Sequence, residues 1–169
     1  RDLSTVAYQL SRPEDLEETA RLVEKAGRTA FARQADVRDA AEVRAAIEDG
    51  IAVLGRLDVV VAQAGVMGAE GKPELQAWSD VINTNLVGSI NALQEALPHV
   101  GEGASLIAVG STSAMMDFAK KDNPGTDPGG TAYVHSKRAL SAYVHDLATE
   151  LAPRGIRANI VNPPNVTPA

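Results

Sequence analysis

Two apolar runs rich in β-branched residues, LDVVVAQAG (57–65) and ASLIAVGS (104–111), stand between segments with helical grammar. That alternation limits the fold more than any other feature of the chain. Unbroken runs of this kind predict strands buried on both faces. Two more strands are expected, a short one in TAFARQADV (29–37) ending at Asp36 and a last one in IRANIVN (156–162). Strands separated by helices connect through right-handed crossovers, which gives a parallel sheet covered by helices. Ligands of such sheets sit beyond the carboxyl ends of the strands. The polar residues closing the strands are Asp36, AQAG (62–65), GSTS (110–113) and NPPNV (162–166), and all fall at that edge.

The helices announce their own limits. SRPEDLEETARLVEKAG (11–27) has Ser11 and Glu14 at capping-box spacing, Pro13 in the first turn and Gly27 past the end. DAAEVRAAIEDGIAVLG (39–55) repeats the pattern with Asp39, Glu42 and Gly55. PELQAWSDVINTNLVGSINALQEALPHV (73–100) reads as a long, mostly helical segment, and a further helix is expected from Thr131 to about Leu151. Between them DFAKKDNPGTDPGG (117–130) is too rich in Gly, Pro, Asp and Asn for helix or strand. A loop of that length in one compact domain is expected to serve a nearby site. No linker or repeat divides residues 1–169, so a single domain is expected.

In TAYVHSKRAL (131–140), Tyr133 and Lys137 stand four residues apart and share a helix face. Such a pair is either a solvated surface contact or a phenol assisted by an ammonium. A free phenol titrates near pH 10 and is a poor base at neutrality. A unit charge about 4 Å away in a partly shielded site is worth on the order of 4 kcal/mol, enough to change that. Other chemistries are harder to support. The 169 residues contain no cysteine, which removes thiol catalysis and cysteine-ligated metal. The three histidines, His99, His135 and His145, lack metal-ligand spacing. Sixteen basic against 22 acidic side chains, net −6 and without a basic block, argue against nucleic acid or an anionic membrane as partner. The apolar runs are strand-sized, so neither a membrane span nor a signal peptide is expected.

Six motifs then occur in a recognisable order: ADVRD (35–39), AQAG (62–65), NTNLVG (83–88), VGSTS (109–113), YVHSK (133–137) and NPPNV (162–166). Together they resemble the short-chain dehydrogenase/reductase family, over nearly the whole chain. The 8–28 stretch and the DNPGTDPGG loop look most like its mycofactocin-coupled, carveol dehydrogenase-like branch. The resemblance implies a Rossmann-like, doubly wound α/β fold of three layers. It also implies hydride transfer between a secondary alcohol or ketone and NAD, with NADP the less expected cofactor. On the family pattern Tyr133 is the general base, Lys137 assists it and holds the nicotinamide ribose, and Ser111 orients the substrate oxygen. Asn85 lends its main-chain carbonyl to a proton-relay water. Asp36 and Val37 match the adenine contacts, and Gln63, Ala64 and Gly65 match the turn that approaches ribose and nicotinamide. Tyr133 and Lys137 count among the cofactor contacts too, as do Pro163 and Val166 beside the carboxamide.

Two departures stand out. Gln63 replaces the usual asparagine, which leaves its bridge between strands in doubt, and Pro164 occupies a glycine's place. The family's opening T-G-x-x-x-G-x-G loop is not among these residues, nor are the usual C-terminal substrate helices, so a piece of a longer chain is expected, weak in NAD binding by itself. The resemblance further implies a homotetramer, a cytoplasmic enzyme, tightly held NAD and mycofactocin as electron acceptor. Met115, Met116 and Phe118 beside Ser111 suit a small apolar alcohol or ketone. The competing reading is a non-catalytic Rossmann-type module, against which retention of Asn85, Ser111, Tyr133 and Lys137 argues.

Overall fold

The structure is a computed structural model that describes residues 3, 5, 6, 8–68, 74–115 and 128–163. Its described elements run α1 (Pro13–Lys25), α2 (Ala40–Leu54), β1 (Val59–Ala62), α3 (Glu74–Ile82), α4 (Gly88–Ala96), β2 (Ser105–Val109), α5 (Pro128–Leu151) and β3 (Arg157–Val161). The strands form one parallel sheet in the order β1-β2-β3, with Val59 opposite Ser105 and Ser105 opposite Arg157. This is the expected α/β architecture. Among the described residues, no helix is long and apolar enough to cross a membrane.

The core lies between the sheet and helices α4 and α5. Leu106, Ala108 and Ala158 of the strands meet Leu93 of α4 and Leu140, Val144, Leu147 and Leu151 of α5. Alanines on the strands let those leucines come close, and each buried leucine contributes roughly 1.5–3 kcal/mol. The other face is barer: Val59 and Val61 of β1 are 55% and 52% exposed. The expectation that LDVVVAQAG is buried on both faces is therefore not met by the described residues. Leu16, Leu22 and Val23 of α1 are likewise exposed.

Four local readings are corrected. Residues 29–36 form no strand, because a strand needs a ladder partner and the described sheet ends at β1. The first capping box does not form at Ser11 and Glu14: Arg12 is the N-cap, has no acceptor in its side chain, and only the Asp15 half of a box is made one residue later. Pro13 opens the helix, and Asp15 Oδ2 accepts from the Arg12 N–H at 2.8 Å. Asp39 caps α2 by accepting from the Ala41 and Glu42 amides, but Glu42 Oε2 accepts from the Asp36 amide at 2.8 Å instead of closing a box on Asp39. Gly27 and Gly55 end α1 and α2 at φ 77° and 90°, where a side chain would be strained. Pro128, Gly129 and Gly130, expected as loop, form the first turn of α5, a position that suits proline. The expected loop is otherwise outside the described residues, as are Met116, Phe118, Pro164 and Val166.

The long segment over 73–100 is helical with one fault. Between α3 and α4 a π turn spans Asn83–Val87, where Gly88 N–H reaches the Asn83 carbonyl. Such turns concentrate at functional sites, and this one carries Asn85. Gly88 follows it for a steric reason: a Cβ there would lie 2.5 Å from Val37 Cγ2.

Candidate active site

The ends of β1 and β2 meet α5 and the π turn at one rim. Lys137 is only 3% exposed, and its Nζ donates to the carbonyl of Val109, the last residue of β2, at 2.7 Å. Burial pushes its pKa below the ordinary lysine value. One turn earlier Tyr133 is half-buried against the cluster of Val66, Val81 and Ala132. The Lys137 ammonium lies over the Tyr133 ring, 5.7 Å from its centroid, within cation–π range.

Asn85 is fully buried and acts as a clasp. Its Oδ1 accepts from the Val66 N–H at 2.7 Å and its Nδ2 donates to the Val66 carbonyl at 2.8 Å. Its main-chain carbonyl accepts from Ser89 Oγ at 2.8 Å. Gly65 fits between Asn85 and Lys137: a Cβ there would stand 3.4 Å from Asn85 Oδ1 and 3.7 Å from Lys137 Nζ. The AQAG turn, the π turn and α5 therefore converge on one glycine backbone. Ala64 and Gln63 beside it are exposed, and Gln63 makes no side-chain hydrogen bond among the described residues, so it bridges no strands here.

Ser111 follows β2 and is fixed from the neighbouring strand. Its amide donates to Asn162 Oδ1 at 2.9 Å, and Gly110 makes that possible, since a Cβ there would sit 2.1 Å from Asn162 Oδ1. Ser111 Oγ accepts from Ser113 Oγ at 2.8 Å and is not hydrogen-bonded to Tyr133. Catalytic hydrogen bonds often form only when substrate is present. Pro163 is exposed, and its carbonyl accepts from the Thr112 amide at 3.3 Å and hydroxyl at 3.2 Å. His135 is exposed, and its ring lies 5.6 Å from that of Trp78, tilted by 30°.

A second region opens next to this rim. A cavity of about 520 Å³ is lined by Leu10, Asp36, Val37, Arg38, Ala64 and Thr84, among others. The Asp36 carboxylate there accepts from Arg38 Nε at 2.9 Å and Nη2 at 2.8 Å, and from the Arg38 amide at 3.0 Å. That pairing, chiefly the hydrogen bond, raises the Arg38 pKa. The Val37 carbonyl accepts from Asn91 Nδ2 at 2.9 Å, tying the cavity wall to α4. Asn162, Arg38 and Thr84 are the residues that the sequence reading passed over. Each lies inside a quoted motif, but nothing in the motif marked its side chain.

The sequence profile described as short chain dehydrogenase matches residues 2–169. The chain belongs to the short-chain dehydrogenase family. An uncharacterized NAD-dependent oxidoreductase of Mycobacterium tuberculosis is 40% identical to this chain over 96% of the chain's length. The (-)-trans-carveol dehydrogenase of Rhodococcus erythropolis is 31% identical over 98% of it. A solved carveol dehydrogenase from Mycobacterium avium in complex with NAD superposes with a TM-score of 0.84 at 34% identity, covering 95% of this chain and 57% of that one. A Burkholderia cenocepacia short chain dehydrogenase solved with NADP gives 0.78 at 34% identity, covering 92% of this chain and 61% of that one. These relatives place the chain in the carveol dehydrogenase-like branch of the family. The chain spans 58% of the length of both curated relatives.

Proposed function

We propose that the protein to which this chain belongs is an NAD-dependent oxidoreductase interconverting a small apolar secondary alcohol and its ketone. The observation that carries the reading is the meeting of Gly65, Asn85 and Lys137 at the strand ends, with Tyr133 one turn from Lys137. A dinucleotide fits the residues present. The bare Gly65 backbone admits close approach at one end, and the cavity beside Asp36 and Val37 receives a flat ring at the other. When bound, the nicotinamide supplies the hydride acceptor.

The chain's own residues do the rest. Tyr133 takes the proton from the alcohol oxygen, which Ser111 Oγ orients. Lys137 favours negative charge on the phenol and holds the ribose side of the cofactor. The Asn85 main-chain carbonyl, which accepts from Ser89 Oγ, holds the relay water in this reading. Asp36 and Val37 receive adenine, Gln63, Ala64 and Gly65 present backbone to the ribose, and Pro163 and Val166 frame the carboxamide. Carveol dehydrogenases among the relatives support the substrate class, and an NAD-dependent relative supports NAD. Tight retention of NAD, reoxidation by mycofactocin, tetramerisation and a cytoplasmic setting belong to the same proposal.

The test uses the full-length protein with a panel of terpenoid alcohols, following reduced nicotinamide by absorbance or fluorescence. Tyr133→Phe should lower turnover by about a thousandfold with NAD affinity within about twofold, while Lys137→Ala should damage both. Turnover equal to wild type in Tyr133→Phe would remove the assigned base. Absence of any alcohol-dependent reduction in the wild type would favour a non-catalytic module.

A further inference from the structure

Helical hydroxyls in this protein have a habit. Thr19, Ser89, Ser141 and Thr149 each donate to the carbonyl four residues back, and Ser136 to the one three back. Thr84 does neither. It is 6% exposed, and its Oγ1 is buried with no hydrogen-bond partner among the described residues. A buried hydroxyl without a partner is disfavoured, and each such group in a folded protein asks for a reason. Two observations supply one. Thr84 lies in the π turn, where the backbone ladder is displaced, and it lines the cavity shared by Asp36, Val37 and Ala64.

We infer that Thr84 is a cofactor-binding residue whose hydroxyl hydrogen-bonds the adenosine half of the dinucleotide. The assignment rests on the dinucleotide reading above and goes beyond it by naming a contact no motif assigns. The hydroxyl is held back from the helix carbonyls that would otherwise occupy it. Threonine populates two χ1 rotamers in a helix, so turning the hydroxyl into the cavity requires no backbone movement. Asp36 and Thr84 then address the same heterocycle from two walls, one charged and one neutral. Because threonine both donates and accepts, it matches a ring nitrogen or an exocyclic amine equally well.

The test compares Thr84→Val, which keeps the shape and removes the hydroxyl, with Thr84→Ser, which keeps the hydroxyl. Nucleotide-free full-length protein is titrated calorimetrically with NAD and separately with adenosine 5′-monophosphate. Thr84→Val should lose about tenfold in affinity for both ligands, and Thr84→Ser should stay within about threefold of wild type. Melting of ligand-free Thr84→Val should not fall, since the lost hydroxyl has no protein partner. Equal affinities in wild type and Thr84→Val would overturn the assignment while leaving the dinucleotide reading intact, and would point to an ordered water as the partner. A loss for NAD with none for the monophosphate would also overturn it, by placing the contact elsewhere. A wild type that binds neither ligand overturns both readings.

Discussion

The two ends of the strand-edge rim are built on different principles. Around Lys137 and Asn85 the main locks run between distant elements. Asn85 clasps Val66, Lys137 holds Val109, and Asn162 pins Ser111 across the sheet. Around Asp36 the described side-chain contacts are local, Asp36 to Arg38 and Asp36 to Glu42, with one tie from Asn91 of α4 to the Val37 carbonyl, over a broad cavity. The first region is fixed before any ligand arrives. The second is shaped chiefly by side chains within one stretch of chain, with a single tie to α4. Chemistry tolerates little misplacement, whereas gripping a flat ring tolerates more, and the division follows that need.

The sharpest way to break the contrast is at Asn85. Replacing it with alanine leaves both the amide and the carbonyl of Val66 unpaired in a fully buried place. Each orphaned group costs about 1–3 kcal/mol, so a loss of roughly 3 kcal/mol is expected in urea unfolding, with turnover falling alongside. A loss below about 1 kcal/mol, with activity intact, would mean that the clasp is not what fixes this end.

That clasp also shows what the sequence could and could not convey. NTNLVG marked Asn85 and put it beside the strand ends, but as the owner of a carbonyl. Its amide pairing with Val66 depends on a loop nineteen residues away and on a π turn that no spacing rule announces. The strand ends were legible because apolar runs and their polar stops are local patterns. TAFARQADV misled for the same reason: its composition suits a strand, yet a strand exists only with a neighbour to pair with. Tyr133 and Lys137 were legible as a pair, since helix geometry fixes i and i+4. That the ammonium would sit over the ring and donate to Val109 is a matter of packing between α5 and β2. Thr84 was invisible because its distinction is a bond it does not make.

A middle-sized effect concerns the buried Lys137 charge. Burial lowers its pKa in the folded protein below the ordinary 10.5. Below the folded value both states are protonated and the cost of burying the charge is fully present. Between the folded value and 10.5 the folded state releases its proton while the unfolded state keeps it, so stability rises with pH. Above 10.5 that cost is gone. The stability of wild type relative to Lys137→Met should therefore climb as pH rises toward 10.5, with groups common to both proteins cancelling. Urea midpoints measured from pH 7 to pH 10 read it, and a flat or falling difference would show that the ammonium is not penalised where it sits.

The smallest effect is expected at the other end of the rim. The Asp36–Arg38 pair is bidentate, with side chains 17% and 21% exposed, and it lies within one loop. Removing it by Arg38→Ala disturbs no distant lock, so the loss should be about 1 kcal/mol at low ionic strength. At 1 M salt, where screening acts over roughly 3 Å, most of that loss should vanish. The Asn85→Ala penalty, which comes from unpaired backbone groups, should persist in the same salt. If the Arg38→Ala loss is undiminished at high salt, its stem is packing against the cavity wall and the charge pair is secondary. The cavity end would then be held by contacts as salt-insensitive as those around Lys137, and the contrast between the two regions would narrow to one of distance along the chain.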